Sequence, residues 1–335
     1  MMRNPDLQAN PTASELIRRT PPLLYRWLGD RIFALLVTMF GLLLMGLAIS
    51  LAVVLYREGA SAITTFGFFG FLTGSSWDPA ITLSFGTLPF LIGTIVTSVA
   101  ALALSFLPAI AVAIFSAEYA PRWLAHIIDA MVDLIAAVPS VVVGIWGIFV
   151  FAPWMREKFY MPIYLWAAEN QPDLLPILGN PIGYGMTTAT IVLALMIVPF
   201  TAALSRDAIR LVPASQREAA WALGATRWEV IRMAVLPYAR GGIIAGSILS
   251  FGRAIGETMA VAMLIGNKNT LPFNLFGPAA TMPSVIINEF REAVENLHLS
   301  SLMAIGFYLF LISLIVNLVA AYIQRKMMVS GGRAV

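Results

Sequence analysis

Residues 215–237, SQREAAWALGATRWEVIRMAVLP, form a polar, arginine-bearing island between two long apolar runs. Ser215-Gln216-Arg217-Glu218 has the form of a capping box, in which Ser and Glu satisfy the first helix N–H groups reciprocally. Gly224 stands where a short helix would end on a left-handed residue. Thr226-Arg227-Trp228-Glu229 is a second capping box, and Pro237 is the expected stop of its helix. The stretch therefore reads as helix, glycine turn, helix. Ala219 and Ala220 thin one face of the first helix, which permits close approach to a partner's cleft. Trp221, Leu223 and Trp228 supply apolar contact, and Arg217 and Arg227 place charge at the edges.

The surroundings decide what kind of protein carries this island. The chain has 335 residues, 59% hydrophobic and 12% charged, where soluble domains carry about 25% charged residues. Six apolar runs approach the length that a bilayer requires: Ile32–Tyr56, Leu88–Phe115, Ile127–Phe151, Met186–Leu204, Gly242–Ile265 and Leu299–Ile323. Spans must satisfy their own backbone hydrogen bonds, and no strand alternation of a membrane barrel is present, so the expected class is all-α and polytopic. The first run is too long for a signal-peptide core and reads as a retained span. The chain has no cysteine, which excludes disulfides, zinc-thiolate and iron–sulfur sites; no metal site is expected.

Lys and Arg set the orientation. With the N-terminus inside, fifteen of the 21 cations fall on inner segments, five on outer ones, and Arg253 lies within the fifth run. The expected arrangement is a cytoplasmic tail over 1–31, a first span over 32–56, a periplasmic loop over 57–87, a core of five spans over 88–323 with its cytoplasmic loop at 205–240, and a cytoplasmic tail over 324–335. A short interfacial helix is expected around Leu23–Leu28. Among the outer loops, Gly67–Pro79 is aromatic and Gly-rich, and Arg156–Pro181 reads as irregular. Met282–Leu297 reads as an amphipathic helix with Val285, Ile286, Phe290, Val294 and Leu297 inward and Glu289, Glu292 and Glu295 outward. These loops either cap the bundle or receive an external partner.

The fifth run carries the chemistry. In FGRAIGETMA, residues 251–260, Arg253 and Glu257 are four apart and would share a helix face. Gly242 with Gly246, and Gly252 with Gly256, have the spacing that lets helices approach closely. An arginine near the bilayer centre costs about 2.5–3.5 kcal/mol on insertion scales. The pair either holds the bundle together or faces a water-filled path. In the second case Arg253 draws an oxyanion and Glu257 accepts from a protonated phosphate oxygen, a proton that sulfate lacks at neutral pH. Asp129 and Asp133 and His126 and His298 are expected at membrane borders, and Asn180 and Asn267 either form turns or contact an anion at the outer mouth.

Three uses of the loop are open on its residues: a connector on the membrane surface, a DNA-reading pair of helices, or a docking element. Tethering to the bilayer at both ends argues against DNA, and no nucleic acid is expected among the partners. Glu218-Ala219-Ala220, Gly224 and Leu236-Pro237, set before the fifth span, resemble the EAA loop of ATP-binding-cassette importer permeases; Ala234 stands where that pattern often has Ile. Gly-Arg-Ala-Ile-Gly-Glu-Thr-Met-Ala-Val over 252–261, with Met263 to Asn267, Trp77-Asp78-Pro79 and Gly86-Thr87-Leu88-Pro89, resembles the phosphate transport system permease PstC family. Gly93-Thr94 and Pro139-Ser140 are family-like as well and read as packing and helix-break positions.

The resemblance implies the six-span MetI-like fold of type I importers in a bacterial inner membrane. It implies a coupling helix in which Arg217, Glu218, Ala219, Ala220 and Gly224 engage an ATPase, with Arg253 and Glu257 in the substrate path. It also implies a PstA-like second permease, a PstB-like ATPase dimer, a PstS-like external phosphate-binding protein and surrounding lipid. No Gly-x-x-x-x-Gly-Lys-Ser/Thr phosphate loop occurs, so the chain is expected to be no enzyme and to bind no cofactor, with ATP used by the partner. A permease for sulfate, molybdate or phosphonate is the alternative. More remote is an ATPase-independent carrier or intramembrane enzyme using Arg253, Glu257, Asp129 and Asp133.

Overall fold

A computed structural model describes residues 23–331 apart from 273, with side chains over 30–324. The tail expectations for 1–22 and 332–335 lie outside the described residues. Helix α1 covers Leu23–Phe66 and α2 Phe68–Thr73. A hairpin of β1 (Trp77–Asp78) and β2 (Ser84–Phe85) follows, antiparallel, with Trp77 opposite Phe85. Then come α3 (Leu88–Tyr119), α4 (Arg122–Ala136), α5 (Ser140–Asn170), α6 (Met186–Arg210) and α7 (Ala214–Ala222). The chain continues with α8 (Arg227–Ile255), α9 (Met259–Leu264), α10 (Met282–Glu289) and α11 (Asn296–Gly331). Among the described residues six helices are long and apolar enough to cross a membrane: α1, α3, α5, α6, α8 and α11.

Contacts divide the chain into two units within α1, at Val54–Leu55. In the first unit Ile32, Phe33, Phe40, Leu44 and Leu47 are exposed, an apolar surface suited to hydrocarbon rather than water. In the second, α6 is the most buried span and packs along α3 and α8. Its Val192, Leu193 and Ile197 share one core cluster with Ala101 of α3, Ala254 of α8 and Val261 and Leu264 of α9. A Cβ on Gly242 would lie 2.4 Å from Ala208 Cβ, and one on Gly246 2.7 Å from Leu204 Cβ. These glycines are what bring α8 onto α6. The Thr201 hydroxyl donates to Ser250 Oγ at 2.8 Å across the same seam. Gly93 meets the Ala280 carbonyl in the same way, and the Thr94 hydroxyl beside it accepts from the Met282 N–H at 2.9 Å.

Several helices differ from the sequence expectation, and proline explains most of the differences. The third span begins at Ser140, not Ile127. Pro139 adopts an extended ψ of 135°, offers no N–H and restricts the residue before it, so the chain breaks there. Residues 122–136 become a separate amphipathic helix, α4. Beyond the break, Pro153, Pro162 and Pro237 do not end their helices. The carbonyl that each would strike in a regular α-helix belongs to Phe149, Lys158 or Met233. Each of these lies in a π turn, at Gly147–Phe151, Arg156–Tyr160 and Ile231–Val235. The wider turn absorbs the missing hydrogen bond. The segment after Arg156, expected as irregular, is therefore helical to Asn170, and the helix opened by Thr226 runs through Pro237 to Ile255.

Other corrections are local. α1 begins at Leu23, so the short helix expected around Leu23–Leu28 is its first turn, and α1 passes Tyr56 to Phe66. α10 ends at Glu289, well short of Leu297, so the amphipathic pattern does not continue through Val294, which is exposed. Glu289 faces inward. Its carboxylate accepts from Trp77 Nε1 at 2.8 Å and Asn269 Nδ2 at 2.7 Å, and lies 2.9 Å from His298 Nε2. His298, expected at the interface, is buried and stacks on Phe85.

Candidate functional site

Two places in the second unit gather the residues singled out by sequence. The first is the loop between α6 and α8. Pro213 stands at the cap of α7 and the helix starts at Ala214, two residues earlier than a Ser215 cap requires; no side chain caps it. The expected Ser215–Glu218 capping box is therefore not formed. The Thr226–Glu229 box is formed, with the Thr226 N–H donating to Glu229 Oε2 at 2.7 Å. Gly224 has φ +80°. Its N–H donates to the Trp221 carbonyl at 2.9 Å, and the Ala225 N–H donates to the Ala220 carbonyl at 3.3 Å. This is a Schellman closure, which needs a residue free of the Cβ penalty at that φ.

The faces of α7 divide. Glu218 and Ala219 are exposed, whereas Ala220 packs against the cluster of Ala113, Ile209 and Val235. Trp221 is 51% exposed, Leu223 87% and Trp228 54%, an apolar surface that water does not favour. Arg217, expected at an edge, turns inward: its Nη2 lies 2.7 Å from Glu118 Oε1 and donates to the Ile209 carbonyl at 3.0 Å. Arg227 lies over the Tyr119 ring at 4.7 Å. Beside this, Asp129 is held between Arg206 at 3.1 Å and Arg210 at 2.8 Å and accepts from the Ser116 hydroxyl at 2.6 Å. Burial pushes the Asp129 carboxyl up, but the Ser116 and Arg210 hydrogen bonds and the charge of Arg206 outweigh it and hold the group below its ordinary value.

The second place is the end of α8. The helix stops at Ile255, with its last turn loosened to Gly256 N–H···O=C Gly252 at 3.4 Å. Residues 256–258 are irregular, and α9 begins at Met259. Arg253 and Glu257 are thus not one turn apart on a continuous helix, and the ion pairs among the described residues include none between them. Glu257 Oε1 instead receives a long 3.4 Å contact from the Ala260 N–H. Gly252 and Gly256 form no second close-packed seam: a Cβ on either would meet only ordinary contacts, at 3.5 Å or beyond.

Arg253 is exposed, and its guanidinium lies 4.0 Å from the centroid of the Phe200 ring on α6. It borders a pocket of about 110 Å³ with Ile135, Ala136, Val138, Val143, Leu195 and Met196. Neither Asp129 nor Asp133 lines this pocket, so the four charges of the carrier reading are not assembled. The result is a cation steered by an aromatic face against apolar walls, without a carboxylate partner among the described residues. That arrangement leaves its hydrogen-bond donors available to an anion. Phe200 and Glu118 are not legible as site residues, since each meets its partner across a large sequence separation; Asp129 is legible as a charge, but not its place between Arg206 and Arg210.

A model of the family "Binding-protein-dependent transport system inner membrane component" matches residues 109–329. The chain is 40% identical over 300 residues to the phosphate transport system permease protein PstC of Mesorhizobium japonicum, covering 89% of this chain and 91% of that protein. It is 41% identical over 255 residues to the protein of that name in Pasteurella multocida, covering 76% and 79%. Against PstC 2 of Mycobacterium tuberculosis it is 36% identical, covering 87% and 90%. Among solved structures, an inward-facing MetNI methionine ABC transporter chain superposes with a TM-score of 0.55 at 15% identity, over 75% of this chain and 99% of that one. A bacterial ABC transporter for alginate gives 0.54 at 16%, over 90% and 99%. At these identities the structures speak for the fold alone.

Proposed function

The chain belongs to the binding-protein-dependent inner membrane components and, within them, to the phosphate transport system permease PstC family, and from that premise we propose that it is the transmembrane permease subunit of an ATP-driven importer of inorganic phosphate. The observation that carries this reading is Arg253, exposed, laid on Phe200 and without a carboxylate partner among the described residues, inside a segment that resembles the family. A planar guanidinium binds phosphate oxygens with two parallel N–H donors. Glu257, at the break beyond α8, is assigned as acceptor for a protonated phosphate oxygen.

The path is completed by a homologous second permease, and an external phosphate-binding protein delivers the substrate. The termini and the α7 loop lie in the cytoplasm, consistent with the distribution of Lys and Arg. There Glu218, Ala219 and Gly224, with the exposed Trp221 and Leu223, meet a separate ATPase. ATP binding closes the ATPase pair, α7 moves with it and the path opens outward; hydrolysis resets it. This chain itself binds no cofactor.

Uptake competition in the reconstituted complex tests the substrate. Labelled phosphate is expected to enter on ATP addition and to be displaced by unlabelled phosphate but not by equal sulfate or molybdate. Displacement by sulfate as effective as by phosphate would move the assignment to another oxyanion. Uptake by this chain alone, driven by a proton gradient, would support the carrier reading instead. Phe200 is expected to matter through Arg253: Phe200→Leu, which keeps bulk but not the ring face, raises the phosphate KM of the complex about tenfold, while Phe200→Trp stays near wild type. Equal KM values for the two variants would remove the ring from the site.

A further inference from the structure

The π turn that ends α3, Phe115–Tyr119, grips the α7 loop from both sides of its glycine turn. On the α7 side, Arg217 Nη2 and Nε reach a single oxygen of Glu118, at 2.7 and 3.1 Å. On the α8 side, Arg227 Nη2 donates to the Glu118 backbone carbonyl, and its guanidinium covers the neighbouring Tyr119 ring. The Glu118 and Arg217 side chains are 12% and 18% exposed, so this pair is shielded from the screening that weakens surface ion pairs. Arg217 also donates to the carbonyls of Ile209 and Val212, at the end of α6 and just beyond it. One residue pair thereby ties α7, the end of α6 and the end of α3 together.

This matters because the covalent attachments of α7 are turns. It is joined to α6 through Leu211–Pro213 and to α8 through the glycine turn at 224. Beyond the Glu118 clasp, the inward contacts of α7 and its turns are small ones, made by Val212, Ala220 and Ala225. A push on α7 could be dissipated at its two turns. With Glu118 in place, the push reaches the second span, which packs along α6 for most of its length.

We propose that Glu118 is the positioning residue that transmits motion of α7 to the second membrane span, so that removing its carboxylate separates ATP hydrolysis from transport. This rests on the reading of the α7 loop as the ATPase-docking element. The test uses the complete importer in proteoliposomes and reads phosphate taken up per ATP hydrolysed, normalised to assembled complex. Glu118→Ala is expected to lower that ratio at least about tenfold while hydrolysis stays within about twofold of wild type. Glu118→Asp, which keeps the charge, is expected to recover part of the ratio. Where the alanine variant assembles poorly, Glu118→Gln keeps the shape and one acceptor oxygen, and a ratio reduced about threefold supports the proposal. An unchanged ratio in either variant overturns it, as does a parallel fall of uptake and hydrolysis in fully assembled complex. A wild-type complex with no ATP-driven uptake would overturn the importer reading and this proposal with it.

Discussion

Arg253→Gln is expected to reduce phosphate uptake by the assembled importer at least about a hundredfold, with the amount of complex near wild type. The size follows from losing two charge-assisted hydrogen bonds to a doubly charged substrate, about 3 kcal/mol or more. The sparing of assembly follows from the structure. Arg253 is exposed and has no ion-pair partner among the described residues, so glutamine strands no buried carboxylate. A structural Arg253–Glu257 pair would have predicted the opposite, a loss of complex. Arg253→Lys keeps the charge but not the fork or its stacking on Phe200, and is expected to fall between the two. The measurement is initial uptake rate per assembled complex; wild-type rates in Arg253→Gln would take the residue out of the path.

Gly224→Asp is expected to leave ATP hydrolysis running and to cut uptake more than about tenfold, the second largest effect. The left-handed φ costs a non-glycine residue about 1–2 kcal/mol, and aspartate is among the side chains that tolerate it best. Beyond its chain neighbours, no atom among the described residues lies within 4 Å of the position a Cβ would take, so the fold has room for the change. What changes is the outer surface: a carboxylate is placed beside the exposed Leu223 and Trp221 that the ATPase would cover. Glu218→Lys is expected to act in the same direction, since Glu218 is exposed on the same helix. Uptake per ATP equal to wild type in both would show that the ATPase does not read this surface.

Much of the α7 loop is legible in sequence because its determinants are local. Gly224 and the Thr226–Glu229 box act within a few residues and appear as expected. The Ser215 box fails for a reason equally local, since Pro213 starts the helix two residues early. Hydropathy finds six spans but cannot see a three-residue break between two apolar segments, so 242–265 looks continuous when α8 ends at Ile255. The inward turn of Glu289 depends on Trp77, Asn269 and His298, on three other segments. The same is true of Arg217 and Glu118, 99 residues apart. Periodicity assigns a side chain to a face of its own helix; it carries no information on which distant donor waits there.

The π turn at Ile231–Val235 has an effect beyond sparing Pro237. A π turn takes in one more residue than an α turn, so the angular phase of the helix slips by one position across it. Val230, Val235, Ala239 and Ile243 are buried in one cluster: the interval is five across the π turn and four thereafter. Everything downstream, Gly242 and Gly246 against α6 and Arg253 beside Phe200, is aimed by that slip. The extra residue works as an indexing tooth: it sets the azimuth at which α8 presents its cation, some twenty residues before the cation is reached.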